Sequence, residues 1–366
     1  MKLSKWMIAL TLTLVLALGV AACGEDTSDA GTSGTGGETT ALSGEIAGAG
    51  ASSQEAAMNA WIAAFQDANP DVTLSYDPVG SGGGREQFIA GGTSFGGTDS
   101  TMDEDELAAV AERCAPGDYI EIPVYISPIA VAYNVDGVDE LNLSPSTLAR
   151  IFDAKITKWD DPAIAKENPD ADLPDTNIVV VHRSDESGTT ENFVDYLSQA
   201  APNDWPHEVD GNWPTKGGEA ANGTSGVIGA IKAGSGTIGY ADLSQVGDLR
   251  TVAVKVGDEY VAPSAEAAGK IFEASKRIPG QGEYVFAYDL DRTSATAGLY
   301  PISLVSYEMA CTAYDGAEEA ALVKAFYGYV TSEEGQQAAA STAGSAPIPD
   351  SLRQEIAPAV EAIQTR

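Results

Sequence analysis

The segment IVVVHRSDESGTT, residues 178–190, joins an apolar run to a polar loop rich in hydroxyl groups. The run at 178–181 consists entirely of β-branched residues, which predicts a strand buried on both faces. After the loop, Phe193, Tyr196 and Leu197 recur at helical spacing and give the next segment an apolar stripe. A buried strand that passes through a short polar loop into an amphipathic helix is typical of α/β proteins.

Two other junctions of the same kind precede this segment. The sequence GAGASS at 48–53 leads into a helix-like pattern of apolar residues at 58, 61, 62 and 65. The sequence GSGGG at 80–84 follows a strand-like alternation of apolar residues at 72, 74 and 76. Ser52 and Glu55 also match the S-x-x-E capping box, which predicts that Ser52 opens the first helix. The alternation of strands and helices from about residue 42 onward predicts an α/β fold.

Each junction is expected to place backbone N–H groups and hydroxyls at the N-terminal end of a helix, where the helix dipole is positive. Such positions bind anions. One junction alone is weak evidence, because serine at a helix start is usually only a cap and a glycine run is usually only a turn. Three junctions, one of which carries Arg183, favour a small oxyanion as the ligand.

Composition and motif searches exclude several classes of function. The chain of 366 residues has 20 Lys and Arg against 54 Asp and Glu, a net charge of −34, so it lacks the basic balance that nucleic-acid binding requires. With 3 Cys, 2 His and no H-E-x-x-H or C-x-x-C sequence, we expect neither a metal site nor a cofactor. The P-loop sequence is also absent, which excludes a P-loop NTPase.

Two matches to enzyme motifs lack the context that each motif needs. Residues 92–96 match G-x-S-x-G, and Gly234, Gly236 and Gly239 match G-x-G-x-x-G. Both motifs function after a strand and before a helix, whereas here a helix-like segment precedes each match and a strand-like segment follows it. We therefore expect neither a serine hydrolase nor a dinucleotide-binding site, and we assign no catalytic residue.

The N-terminus has the features of an export signal. Lys2 and Lys5 precede an apolar run at 7–20 that is too short to span a bilayer comfortably, and the segment ends in VAACG at 20–24. This ending resembles the lipobox of bacterial lipoproteins, in which the cysteine, here Cys23, is diacylated and becomes the first mature residue. A plain signal peptide with an incidental cysteine is the alternative. Residues 1–22 are thus predicted to be the signal peptide, and residues 23–41 a flexible tether.

Beyond the N-terminus, the sequence resembles the PstS-like phosphate-binding lipoproteins, the substrate-binding components of bacterial phosphate ABC importers. The resemblance covers nearly the whole mature chain and rests on segments that recur in order: GAGAS at 48–52, GSGG at 80–83, FGGTD at 95–99, KITKWDD at 155–161, RSDESGT at 183–189 and IPDS at 348–351. It implies a type II periplasmic-binding-protein fold of the α/β class, in which two lobes each contain a mixed sheet flanked by helices. Lobe 1 would comprise residues 42–125 plus 301–366 and lobe 2 residues 126–300, with the ligand in the cleft between them.

The resemblance also implies a set of phosphate contacts. Position by position, it assigns them to Ser52, Ser53, Ser81, Asp99, Arg183, Ser187, Gly188 and Thr189. Ser53 is expected to bind through its backbone N–H, because the family often has Phe at this position, although its hydroxyl can add a contact. Asp185 is expected to hold the Arg183 guanidinium, and an ordinary Asx turn is the alternative for this residue.

Asp99 is the residue expected to determine selectivity. A carboxylate beside an anion is repulsive unless a proton lies between them, and phosphate near neutral pH keeps a proton that sulfate lacks. We therefore expect Asp99 to accept this proton from phosphate and to exclude sulfate. A helix N-cap is the alternative for Asp99 taken alone.

These expectations describe a monomer without catalytic activity that is lipid-anchored on the extracytoplasmic face of the cell membrane. It would bind inorganic phosphate by closing a hinge around the anion and deliver it to the permease subunits of an ABC importer. The alternatives are a binding protein for another oxyanion, such as sulfate or molybdate, and a secreted phosphatase-like enzyme.

The remaining cysteines allow two interpretations. Once Cys23 is lipidated, Cys114 and Cys311 are left, and an even number outside the cytoplasm is compatible with a disulfide or with two buried free thiols. The resemblance supports the disulfide, because it places both residues in lobe 1.

Overall fold

The computed structural model describes residues 41–366, so the predicted signal peptide, Cys23 and the tether up to residue 40 lie outside the described residues. The strands are β1 Gly44–Gly50, β2 Val72–Asp77, β3 Phe95–Thr98, β4 Tyr119–Asn134, β5 Leu141–Leu143, β6 Val179–Arg183, β7 Glu219–Ala221, β8 Thr237–Asp242, β9 Arg250–Val256, β10 Glu259–Val261, β11 Lys276–Arg277, β12 Tyr284–Val285, β13 Tyr288–Asp289, β14 Ser303–Cys311, β15 Ala313–Tyr314 and β16 Gln364–Thr365. The helices are α1 Glu55–Ala68, α2 Ser81–Ile89, α3 Glu104–Cys114, α4 Pro145–Phe152, α5 Pro162–Glu167, α6 Gly188–Ala200, α7 Gly223–Ala233, α8 Ala265–Ala274, α9 Ala317–Val330, α10 Glu333–Ala343 and α11 Asp350–Glu361. A short 3-10 helix, Leu243–Gln245, follows β8.

Strand β4 connects the two halves of a 12-stranded mixed sheet. Its first part pairs antiparallel with β14, and its last part, residues 129–134, pairs antiparallel with β8. The path through the sheet is β2-β1-β3-β14-β4-β8-β6-β7, and β5, β9, β10 and β12 pair off this path. β1 runs parallel to β2 and β3, and β6 runs parallel to β7 and β8. The predicted α/β class with mixed sheets is confirmed.

The change of partner along β4 falls between Pro128, opposite Ser303, and Ile129, opposite Asp242. The predicted boundaries between the lobes, at 125/126 and 300/301, lie close to this place. However, β12 pairs with the first part of β4 at Ile120 and Glu121, so residues 284–285 contact the sheet of lobe 1 although the prediction assigns them to lobe 2. The lobe boundaries therefore stay a prediction.

Helix α1 follows the predicted apolar pattern but begins differently from the prediction. It buries Met58, Trp61 and Phe65 against the core. The predicted capping box is wrong, because the N-cap is Gln54, whose side chain makes no capping hydrogen bond. The chain makes an additional turn after Ser52, and the Ser52 hydroxyl is bonded to a distant part of the chain, as described below.

Strand β6 is less buried at its start than the unbroken β-branched run predicts. Val179 and Val180 are half-buried, whereas the strand is buried from Val181 to Arg183. The reason is that the first two valines line a surface groove beside α4, together with Phe152. The buried end of β6 is the end that leads into the polar loop.

The two enzyme-motif matches lie between a helix and a following strand, as the sequence predicts. Ser94 stands between α2 and β3, and Gly236 stands between α7 and β8. In both cases a helix precedes the glycine-rich turn and a strand follows it, which is the reverse of what either motif requires.

A disulfide joins Cys114, the last residue of α3, to Cys311 at the end of β14. It links positions separated by 197 residues, both within the predicted lobe 1. In the described part of the chain, none of the helices combines the length and apolar character needed to cross a membrane.

Candidate functional site

The three glycine- and hydroxyl-rich junctions lie together in the structure. Two of them meet because β1 and β2, the strands that lead into them, are parallel neighbours, with Ala49 opposite Asp77. A Cβ atom at Gly84 would lie 2.3 Å from the Gly50 Cα, so only glycine allows α2 to pack this closely on the end of β1. The third junction, at the end of β6, contacts the second junction and Asp99 through the first turn of α6, where a Cβ at Gly188 would lie 2.7 Å from both the Ser81 Oγ and the Asp99 Cβ.

All eight predicted ligand residues are buried, although most of them are polar. The most exposed side chain among them is Asp99, at 4%, and the set comprises Ser52, Ser53, Ser81, Asp99, Arg183, Ser187, Gly188 and Thr189. Polar side chains at this depth need hydrogen-bond partners, because each unpaired group costs about 1–3 kcal/mol. The partners define what each residue can offer an anion.

Asp99 follows β3, and its carboxylate accepts hydrogen bonds from hydroxyl groups of two of the junctions. The Ser53 hydroxyl lies 2.7 Å from Oδ1 and 2.8 Å from Oδ2, and the Thr189 hydroxyl donates to Oδ2 at 3.1 Å. Burial raises the pKa of Asp99 above its ordinary value, while hydrogen bonds from Ser53, Ser306 and Thr189 and the charge of Arg183 act in the opposite direction. Asp99 does not cap a helix, since the N-cap of α3 is Asp103.

Ser81 and Ser187 each begin a helix but use their hydroxyls differently. The Ser81 Oγ accepts a hydrogen bond from the Asp99 backbone N–H at 3.1 Å. The Ser187 Oγ accepts from the Thr190 N–H at 3.2 Å and so caps α6. In both residues the oxygen accepts and the hydroxyl proton is left to donate, which is the form that an anion needs.

Arg183, the last residue of β6, is held by Asp185 as the sequence analysis predicted. Its Nε donates to Asp185 Oδ1 at 2.8 Å, and its Nη2 donates to Oδ2. Burial alone would raise the pKa of Asp185, but the hydrogen bond and charge of Arg183 and the Gly223 N–H outweigh it and lower the pKa. This ion pair fixes the plane of the guanidinium and offsets its charge.

The Ser52 hydroxyl has a partner that the sequence analysis missed. It lies 3.0 Å from the Thr224 Oγ1 and accepts from the Thr224 N–H at 3.1 Å. The Gln245 side chain donates to the Ser52 carbonyl at 2.8 Å. The signal for Thr224 was a polar Asn-Gly-Thr start of a helix after a short strand, which is the same pattern as the three junctions that were recognised.

Arg85 and Asn192 also contribute contacts that the sequence analysis missed. Arg85, on α2, pairs with Glu106 at 2.8 Å and with Glu186 of the β6–α6 loop at 2.6 Å. Asn192, on α6, donates to the Asp99 carbonyl at 2.8 Å. Arg85 thus connects α2 to the β6–α6 loop, and Asn192 connects α6 to the residue that follows β3.

The chemistry of the site is that of anion binding. It combines a planar guanidinium, several hydroxyls and the N-terminal turns of α2 and α6 around one buried carboxylate. Within residues 41–366, no group of three or more His, Cys, Asp or Glu side chains could hold a metal ion.

A family comparison assigns residues 31–334 to the PBP superfamily domain. Among curated proteins, the chain is 35% identical over 373 residues to phosphate-binding protein PstS 3 of Mycobacterium tuberculosis, covering 99% of this chain and 100% of that protein. It is 35% identical over 376 residues to PstS 3 of Mycobacterium leprae, with the same coverage.

Solved structures give the same fold. The chain aligns with a high-affinity periplasmic phosphate-binding protein bound with phosphate, at a TM-score of 0.70 and 22% identity, covering 86% of this chain and 93% of that one. A phosphate-binding protein from Stenotrophomonas maltophilia aligns at a TM-score of 0.67 and 20% identity, covering 86% and 94%. These likenesses show the two-lobed fold of the periplasmic binding proteins.

Proposed function

Since the chain belongs to the PstS family of phosphate-binding proteins, within the PBP superfamily, we propose that its three junctions bind inorganic phosphate for delivery to a phosphate ABC importer. The ligand set is Ser52, Ser53, Ser81, Asp99, Arg183, Ser187, Gly188 and Thr189. The single observation that carries the proposal is the buried Asp99 carboxylate among donors that suit an anion.

A carboxylate in such a site fits a protonated oxyanion. Phosphate near neutral pH carries at least one proton, through which it donates a hydrogen bond to Asp99, and it accepts hydrogen bonds from the surrounding hydroxyls and N–H groups. Sulfate has no proton at this pH, so it would leave the carboxylate unpaired and repelled. Sites built to hydrogen-bond a substrate O–H reject the analogue that lacks it by about 10⁴–10⁵.

Arg183 supplies the positive charge of the site. Asp185 takes its Nε and Nη2, so we expect Nη1 to face the anion. Because the ion pair with Asp185 offsets the charge, the site offers directed hydrogen bonds more than net positive charge. This suits a ligand that must be released to the importer.

We propose that lobe 1, residues 42–125 plus 301–366, and lobe 2, residues 126–300, close on phosphate. Ser52, Ser53, Ser81 and Asp99 come from lobe 1, whereas Arg183 and the first turn of α6 come from lobe 2. The hydrogen bond from Thr189 to Asp99 and the ion pair of Arg85 with Glu186 join the two. Ligand binding and closure are then a single equilibrium.

The cellular setting is part of the same proposal. The protein acts outside the cytoplasm as a monomer, is held to the cell membrane by lipid on Cys23, and contacts the permease subunits of the importer. It has no catalytic activity of its own.

Calorimetric titration of the purified mature protein with phosphate, sulfate and molybdate tests the proposal. We expect tight binding of phosphate and weak binding of sulfate at neutral pH. Tighter binding of sulfate or molybdate would identify a different oxyanion, and hydrolysis of p-nitrophenyl phosphate by the same preparation would identify a phosphatase.

A further inference from the structure

The first turn of α7 contacts the phosphate site from a part of the chain that the ligand set does not include. Thr224 and Ser52 are 172 residues apart, and they are 1% and 3% exposed. Their hydroxyl oxygens lie 3.0 Å apart, and the Thr224 N–H donates to the Ser52 Oγ at 3.1 Å. Two hydrogen bonds between the same two buried residues fix the position of the Ser52 side chain.

The same turn also contacts the other side of the site. The Gly223 N–H donates to Asp185 Oδ1 at 3.1 Å, and Asp185 holds Arg183. Gly223 has φ +66°, a backbone conformation that favours glycine, so the chain turns here in a way that directs both N–H groups into the site. The N-cap, Asn222, makes no side-chain hydrogen bond that would occupy them.

The hydrogen-bond capacity of a hydroxyl determines what this contact does. A serine hydroxyl has one proton and two lone pairs. The Thr224 N–H takes one lone pair of Ser52, and the Thr224 hydroxyl takes the other when it donates. The Ser52 proton must then point away from Thr224, where it can meet an anion.

We propose that Thr224 is a positioning residue that makes the Ser52 hydroxyl an obligatory donor to phosphate. The inference rests on the proposed function, because it concerns the same site. Thr224 lies in lobe 2 and Ser52 in lobe 1, so the donor is fully oriented only when the lobes are closed.

The test is calorimetric titration of the mature protein with phosphate. Thr224→Val keeps the backbone N–H and the shape of the side chain but removes the hydroxyl. We expect phosphate binding to weaken about 3–10-fold, the range for one hydrogen bond. Thr224→Ser restores the hydroxyl and should restore binding. Thr237→Val is the matched control, because the Thr237 hydroxyl is also 1% exposed but donates to the Ile231 carbonyl of α7.

A double-mutant cycle separates positioning from a general effect on folding. In a Ser52→Ala background there is no hydroxyl to orient, so Thr224→Val should cause no further loss of phosphate binding. The unfolding midpoint of each variant without phosphate is recorded as a check. If Thr224→Val does not fold, Thr224→Ala removes the same hydroxyl and takes its place.

The outcomes distinguish this inference from the proposed function. If the unmutated protein does not bind phosphate, both are refuted. If it binds but Thr224→Val binds equally well, only the role of Thr224 is refuted. An equal loss in the Ser52→Ala background would also refute it, because Thr224 would then act independently of Ser52.

Discussion

Replacing Asp99 with asparagine should remove much of the site's preference for phosphate over sulfate with little change in the shape of the site. Asp99 is 4% exposed, and its oxygens accept from the hydroxyls of Ser53 and Thr189 at 2.7–3.1 Å. An asparagine can keep one of these bonds through its oxygen. Its amide N–H₂ faces hydroxyls that can rotate to accept, so the variant should fold.

The size of the effect follows from the hydrogen bonds that each anion makes. Phosphate exchanges a charge-assisted bond, worth about 1.5–3 kcal/mol, for a neutral one of about 0.5–1.5 kcal/mol, so it should bind roughly tenfold more weakly. Sulfate loses the repulsion of a buried carboxylate and gains a donor. The phosphate-to-sulfate preference should therefore fall from about 10⁴–10⁵ to about 10² or below.

The assay is competition calorimetry with phosphate and sulfate at fixed pH and salt. Asp161→Asn is the matched control, since Asp161 caps α5 through its Oδ1 and asparagine caps a helix equally well. An unchanged preference in Asp99→Asn would refute the account of selectivity. It would mean that the proton of phosphate is accepted elsewhere.

Three further predictions follow from buried groups. Arg183→Ala should weaken the binding of both phosphate and sulfate about 10–100-fold, because each anion loses a charge-assisted hydrogen bond. The same calorimetric assay measures this, and a loss confined to one anion would contradict the prediction. Burial raises the pKa of Glu121 to about 7 and that of Asp242 to about 6, so the folded protein retains protons that the unfolded chain releases at lower pH. The free energy of unfolding should therefore fall as the pH rises from about 5 to 7, by roughly 1–3 kcal/mol for each group. Urea titrations at several pH values measure this, and a free energy of unfolding that rises with pH would contradict the prediction. The exported protein should show no free thiol under non-reducing denaturation, because Cys114 and Cys311 are bonded, and two titratable thiols would refute the bridge.

Local sequence was sufficient to predict the junctions of the site. A strand that ends in a polar loop and leads into a helix brings its own backbone N–H groups to the ligand, whatever the rest of the chain does. The ion pair of Arg183 with Asp185 is also local, since only one residue separates the two in sequence. Such features could be predicted because they depend on neighbours in the chain.

Contacts between distant segments could not be predicted in this way. Ser52 matched a capping box, but Thr224 and Gln245 hold it in the folded protein, and neither is near it in sequence. Arg85 pairs with Glu106 and Glu186, and neither acidic residue lies near it in sequence. These contacts depend on the packing of α2, α7 and the β6–α6 loop, which the pattern of apolar residues does not specify.

The net charge of −34 and the binding of an anion are compatible because of how the site is built. Three arginines at or beside the site are paired with carboxylates, Arg183 with Asp185, Arg85 with Glu106 and Glu186, and Arg292 with Asp195, so they add little net positive field. Exposed charges are screened beyond about 8–10 Å at ordinary salt, whereas the short hydrogen bonds of a buried site are not. The acidic surface should therefore slow the approach of phosphate more than it weakens the bound state, and added salt should raise the association rate with little effect on dissociation. Selectivity then depends on the protons that each anion carries, which the buried Asp99 can distinguish and a positive surface cannot.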